Sequence, residues 1–254
     1  MMIRLKIWKL IMVVTLTLML SSCASVESRG RSGDEAIKVV VVTGGHGFDR
    51  EGFLPIFEGY EDIEYTHFHL ADDSEIFEDI SEWPYDVIVF YHMTQNISEK
   101  RRANFKALLD DGVGVVALHH TVGAYQQWPE FQKIIGAKFY LKDSVVDGQP
   151  RKKSGYKHGL KFNIYVEDTD HPVTSGISDF EIHDETYIGC DFESDNHVLL
   201  TTDDPTSDRI VGLVRNYGKA RICYLQPGHD KGSYADSNYR KLVIQAIRWT
   251  AGRL

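Results

Sequence analysis

The sequence predicts an α/β fold, a mostly parallel sheet with helices on both faces and a mixed extension toward the C-terminus. Two observations carry this. In the first half, short apolar runs alternate with helix-period segments, as expected when strands are joined by crossover helices. After about residue 155, strand-like pieces follow one another without intervening helices, which suits antiparallel pairing.

Taken in order, KVVVV (38–42) reads as the first strand, IEYTHFHL (63–70) as the second, and YDVIVFY (85–91), behind the Trp83-Pro84 break, as the third. ISEKRRANFKALLDDG (97–112) has a helix N-cap in Ser98, apolar positions Ala103, Phe105, Leu108 and Leu109 on helical spacing, and a stop at Gly112. VGVVALHH (113–120) is nearly all apolar before its two histidines, the pattern of a strand buried on both faces. WPEFQKIIGA (128–137) is a short helix, and a polar segment runs from Lys138 to Lys157. The mixed extension comprises LKFNIYVED, FEIHDETYI, HVLLTTD, IVGLVRNYG and ARICYLQ. A final helix places Leu242, Val243, Ala246, Ile247 and Thr250 on one stripe and closes at Gly252.

At the N-terminus, Arg4, Lys6 and Lys9 precede an apolar run from Ile11 to Leu20 that is too short to span a bilayer. The sequence Leu20-Ser21-Ser22-Cys23 resembles a bacterial lipobox. The expected organisation is a lipoprotein signal peptide over 1–22, a flexible tether over 23–36 and a folded domain over 37–254. Cys23 would be the acylated anchor, and the domain would face outward from a membrane of the bacterial cell envelope. Removing the signal's three positive charges takes the formal net charge from -9 to about -12, which argues against nucleic acid as a partner. In that compartment Cys190 and Cys223 either pair or remain two buried free thiols, with the second reading preferred.

VVVVTGGHGFDR first suggests a phosphate loop. It lacks the third glycine of a dinucleotide fingerprint, and no Gly-Lys-Ser/Thr follows. What it offers is a histidine, His46, at the carboxyl end of a strand. Ligands of open parallel sheets bind along that edge. His119 and His120 end a second strand there, and His229 with Asp230 ends a third. In FEIHDETYI, strand alternation puts His183, Glu185 and Tyr187 on one face and Asp184 on the other. Histidines with a glutamate suit a divalent metal such as zinc, held by His46, His119, His229 and Glu185, or metal-free acid–base catalysis. His67 and His69 alternate on the second strand and read as an exposed polar face. Arg151, Lys152 and Lys153 read as solvated charges or a lid.

With these motifs assembled, the chain resembles the ThuA-like (trehalose utilisation) family, whose fold is flavodoxin-like, of the class I glutamine amidotransferase type. The resemblance rests on VVTGGHGFDR, YDVIVFY, GVGVVALHH, YKHGLKFNIYVEDTDHPVTSGISDF, HDETY and YGKARICYLQPGHD in that order. It implies carbohydrate catabolism, especially of oxidised 3-keto sugars. It also implies pocket positions at His46, His119, His158, Glu185, Tyr187, His229 and Asp230. His119, His229, Glu185 and Tyr187 are the expected catalytic groups, and His46, His120, His158, Asp184 and Asp230 the expected sugar contacts. The chain departs from the family where Leu213 or Val214 stands in place of a tryptophan, and where Pro227 replaces a small or apolar residue. A cysteine amidotransferase is excluded, because the turn after GVVAL carries histidines and neither Cys190 nor Cys223 lies on a nucleophile turn.

For a 3-keto glycoside the C2 proton is acidic, so elimination needs a base (His119 or His229), an acid (Glu185 or Tyr187) and an enolate stabiliser (His46 or a metal). Two other classes remain open. One is a non-catalytic sugar-binding lipoprotein using Tyr125, Trp128, Tyr156 and Tyr234. The other is an accessory subunit of a sugar-oxidising system.

Overall fold

The computed structural model describes residues 35–71 and 73–254. The expected signal peptide, Cys23 and nearly all of the tether lie outside the described residues. No described helix is long and apolar enough to cross a membrane. In chain order the elements are β1 (Ile37–Gly44), α1 (Arg50–Phe53), β2 (Ile63–His69), β3 (Val87–His92), α2 (Glu99–Asp110), β4 (Gly114–Leu118), α3 (Pro129–Ile135) and β5 (Ala137–Lys138). Then come β6 (Ser144–Val146), β7 (Gln149–Arg151), β8 (Gly155–Val166), β9 (Phe180–Ile188), β10 (Asp191–Phe192), β11 (His197–Thr201), β12 (Ile210–Tyr217), β13 (Ala220–Leu225), α4 (Lys231–Ala235) and α5 (Ser237–Thr250).

One sheet organises them, in the order β2-β1-β3-β4-β13-β12-β11-β8-β9. The pairs β1–β2, β1–β3, β3–β4 and β4–β13 are parallel, and those from β13 through β12, β11 and β8 to β9 are antiparallel. β13 is therefore the junction of the two halves, parallel to β4 and antiparallel to β12, as a strand of a mixed extension should be. Its composition suits that place: Ile222, Cys223, Tyr224 and Leu225 are all buried, so this strand, like β4, is covered on both faces.

Alternation along the strands divides the core in two. Val39 and Val41 face a layer completed by Phe53, Leu242, Val243 and Ile247, while Val40 and Val42 face one completed by Phe105, Leu108 and Phe131. α5 buries all five residues of its expected stripe and is capped by Asp236, whose carboxylate accepts from the amides of Asn238 and Tyr239. α2 is capped by Ser98 as expected, but Ala103 is exposed, leaving Phe105, Leu108 and Leu109 as its buried face. The polar segment after Lys138 is more ordered than its composition suggested: it holds the β6–β7 hairpin and the first turns of β8. Cys190 and Cys223 are both free.

Two local features aim residues at the carboxyl edge. Between Lys157 and Leu160 the β8–β9 register shifts, so that His158 and Gly159 together oppose Glu185. This two-against-one count is a β-bulge, eased by Gly159 at φ +67. At the end of β1, Gly45 has φ +67, and a methyl group there would lie 2.4 Å from the Thr94 amide nitrogen. Gly45→Ala is expected to lower stability by about 1–3 kcal/mol in urea titration, with β1 intact and the following histidine displaced.

Candidate active site

His119 is the first residue after β4, wholly buried and with φ +48, a left-handed conformation that a non-glycine residue holds only when its surroundings enforce it. The enforcing contact is Nδ1, which donates to the Gln226 carbonyl across 2.7 Å at the end of the neighbouring β13. A carbonyl only accepts, so the proton sits on Nδ1 and the lone pair of the neutral ring sits on Nε2. Around Nε2 lie Tyr187 Oη at 2.8 Å, Glu185 Oε2 at 2.9 Å and His229 Nδ1 at 3.2 Å. His229 Nδ1 is 3.1 Å from the same Glu185 oxygen, and His158 Nδ1 is 3.1 Å from Oε1. One buried carboxylate thus touches three imidazoles delivered by β4, the bulge of β8 and the loop after β13.

The loop carrying His229 is held from behind. Asp184, buried, accepts from the backbone amides of Gly228 (2.7 Å), His229 (2.9 Å) and Glu185 (2.8 Å). The Tyr91 hydroxyl donates to the Gly228 carbonyl at 2.7 Å and lies 2.6 Å from the Tyr234 hydroxyl. Asp230 accepts from the Gly232 amide and forms a capping box with Ser233 at the start of α4. Asp184 and Asp230, both expected among the sugar contacts, therefore lie outside the cavity and position the loop that forms its wall. Tyr91 and Tyr234 share this role. No motif advertised Tyr91; it reads as one more apolar position of a buried strand.

The protonation preferences follow from these contacts. Burial pushes the Glu185 carboxyl up, but the adjoining imidazoles of His119 and His229 outweigh it and hold the group far below the usual carboxylate range. The Glu185 hydrogen bond raises His229. Burial pushes Tyr187 well up, so its hydroxyl keeps its proton. Burial lowers His46, and lowers His120 much further with help from neighbouring imidazoles. Burial alone takes His92 down to about 3, and this residue does not line the cavity.

The cavity measures about 220 Å³. Its polar wall is His46, His120, His158, Glu185, Tyr187 and His229; its apolar wall is Met93, Gly123, Phe139, Leu141 and Tyr156. The His46 ring stacks on that of His120, with centroids 4.5 Å apart. Neither nitrogen of the buried His120 has a hydrogen bond of ordinary geometry. Met93, Gly123, Phe139 and Leu141 were missed by sequence reasoning, since isolated apolar residues in loops carry no periodicity.

His119, Glu185 and His229 form a group whose donor atoms could hold a metal ion, and His46 stands outside it. The donor atoms, 2.9 to 3.2 Å apart, fit the roughly 3.3 Å expected between ligands bonded tetrahedrally at about 2.0–2.2 Å. The Gln226 carbonyl on His119 Nδ1 fixes the ring so that Nε2 is free to ligate, as in metal-binding histidines generally. Without a cation, the Nε2 lone pair of a neutral His119 would face a carboxylate. The residues present therefore fit a divalent metal.

The sequence model of the family described as ThuA, trehalose utilisation, matches residues 38–250. The chain belongs to the ThuA family. A ThuA-like protein from Parabacteroides merdae superposes with a TM-score of 0.72 at 19% identity, covering 85% of this chain and 90% of that one. One from Bacteroides uniformis gives 0.58 at 20% identity over 87% and 94%. PurLQS from Thermotoga maritima gives 0.52 at 17% identity over 85% and 99%. At these identities the likeness concerns the fold, which is that of the class I glutamine amidotransferases. No curated protein matches the chain. In this ThuA chain the buried Asp184 should tolerate no amide. Asp184→Asn sets an NH2 group against amide donors and is expected to cost about 1–3 kcal/mol, measured by thermal melting, with weaker ligand binding at the His229 loop.

Proposed function

We propose that this ThuA-family chain is a carbohydrate-processing enzyme that opens oxidised, 3-keto glycosides by proton abstraction and elimination. The supporting observation is the convergence of His119, Glu185 and His229 beside a cavity whose polar lining is four histidines, Glu185 and Tyr187. His119, Glu185 and His229 would hold a divalent metal such as zinc, which when bound supplies Lewis acidity toward a ketone or enolate oxygen.

The chain's own residues take the remaining roles. The Nε2 lone pair of His119 is enclosed by Glu185, Tyr187 and His229, so the base falls to His46, which burial keeps neutral and which lines the cavity. It takes the proton from C2; the freed electron pair forms the enolate and then the C1–C2 double bond as the C1–O bond breaks. The leaving oxygen receives a proton from His158, whose Nδ1 is held by Glu185 Oε1. The Tyr187 hydroxyl, kept protonated by burial, donates a hydrogen bond to the developing enolate oxygen. Products are the alcohol and an unsaturated keto sugar; addition of water to the latter completes a hydrolysis.

The proposed setting is the bacterial cell envelope, with Cys23 acylated and the domain on its tether, a reading that rests on the positive, apolar and Leu-Ser-Ser-Cys sequence of the first 23 residues.

The test is proton NMR of methyl 3-keto-β-D-glucoside in D2O with the metal-supplied protein. Wild type should exchange the C2 proton and release methanol, and His46→Ala should slow both by about 10²–10⁴-fold. Absence of exchange and release in wild type would overturn the reaction, and an unaffected His46→Ala would remove that residue as base.

A further inference from the structure

The cavity's two walls differ in kind, and the difference reaches the backbone. Beside the imidazoles, the apolar lining offers no side-chain hydrogen-bonding group apart from the Tyr156 hydroxyl, and Tyr156 is 60% exposed, its ring centroid 5.0 Å from that of His158. Two glutamines occupy several of its main-chain polar groups. Gln95 Nε2 donates to the carbonyls of Met93 (2.8 Å) and Gly123 (2.9 Å). Gln126 Nε2 donates to the carbonyls of Gly123 (3.2 Å) and Phe139 (2.8 Å). Gln126 Oε1 accepts from the Leu141 amide at 3.3 Å, and Gln95 Oε1 accepts from the Gln126 amide at 3.1 Å. The Phe139 amide is used by the Val122 carbonyl and the Met93 amide by that of Gly44. The surface is also flush at Gly123, where a methyl group would press on Met93 Sδ at 3.1 Å. Of the five large apolar side chains exposed among the described residues, Leu141 and Tyr156 belong to this wall, so it continues out to solvent.

A hydroxyl set against such a wall would lose water and gain nothing. A sugar ring therefore belongs on the imidazole side, where His46, His158 and His229 line the cavity with ring nitrogens that can donate or accept. We infer that the apolar wall formed by Met93, Gly123, Phe139, Leu141 and Tyr156 is a subsite for a planar apolar aglycone, so that the substrate class is aryl glycosides. This deepens the sugar-processing reading of the polar wall and rests on it. The leaving group of the elimination is then a phenol, whose lower basicity makes departure from C1 easier than that of an alkoxide.

The test compares unoxidised phenyl and methyl β-D-glucosides, which lack the acidic C2 proton and are bound without elimination, by titration calorimetry on the metal-supplied protein. Phenol alone is the third probe. The phenyl glucoside should bind at least about tenfold more tightly than the methyl glucoside. Leu141→Ser, a half-exposed position where an unchanged melting temperature reports intact folding, should shrink that ratio by weakening the phenyl glucoside more than the methyl glucoside. Equal affinity for the two glucosides, including no measurable binding of either, would overturn the inference, as would a ratio that survives Leu141→Ser. Phenol bound as tightly as phenyl glucoside, with methyl glucoside unbound, would leave the apolar subsite standing and overturn the sugar reading of the polar lining.

Discussion

A buried carboxylate is the constraint around which this site is built. Glu185 is 4% exposed, and an ion so placed is costly unless paired and hydrogen-bonded. Its partners, His119, His229 and His158, come from three distant parts of the chain. Each is held by a local device: a left-handed residue anchored to the Gln226 carbonyl, a loop pinned by Asp184 and Tyr91, and a bulge at Gly159. These devices have no reason to coincide for packing alone. They bring donor atoms of three residues within hydrogen-bonding distance of one another, the arrangement a divalent ion requires.

Much of this was legible in the sequence because strand topology is a strong constraint. Once VVVVTGGH, VVALHH and YLQPGHD are read as parallel strands, their histidines must share the carboxyl edge. Glu185 and Tyr187 followed from strand alternation, and both reach His119 Nε2 in the structure. The site's finer assignment was less legible. Asp184 and Asp230 look like ligands in sequence, yet their carboxylates are consumed by backbone amides and a helix cap. Nothing in a linear pattern separates an aspartate that meets a ligand from one that fixes the loop beside it.

The apolar wall was the least legible part. It is assembled from single residues after β3, after β4, beyond β5 and early in β8, none of which has periodicity to expose it. Its chemical character depends less on those side chains than on Gln95 and Gln126, which satisfy several of its carbonyls. The cavity lining thus combines the groups proposed for proton transfer with an apolar surface that carries none. This combination suits a reaction in which a polar ring is transformed while its substituent only has to be held and released.

The central claim is that His119, Glu185 and His229 form a divalent metal centre. Its most direct test is plasma mass spectrometry of the purified domain after equilibration with zinc and desalting, for wild type and Glu185→Gln in parallel, with circular dichroism confirming that both are folded. The account predicts about one ion per wild-type chain and a marked loss in the variant. Wild type without retained metal, or equal retention by a folded Glu185→Gln, would contradict it.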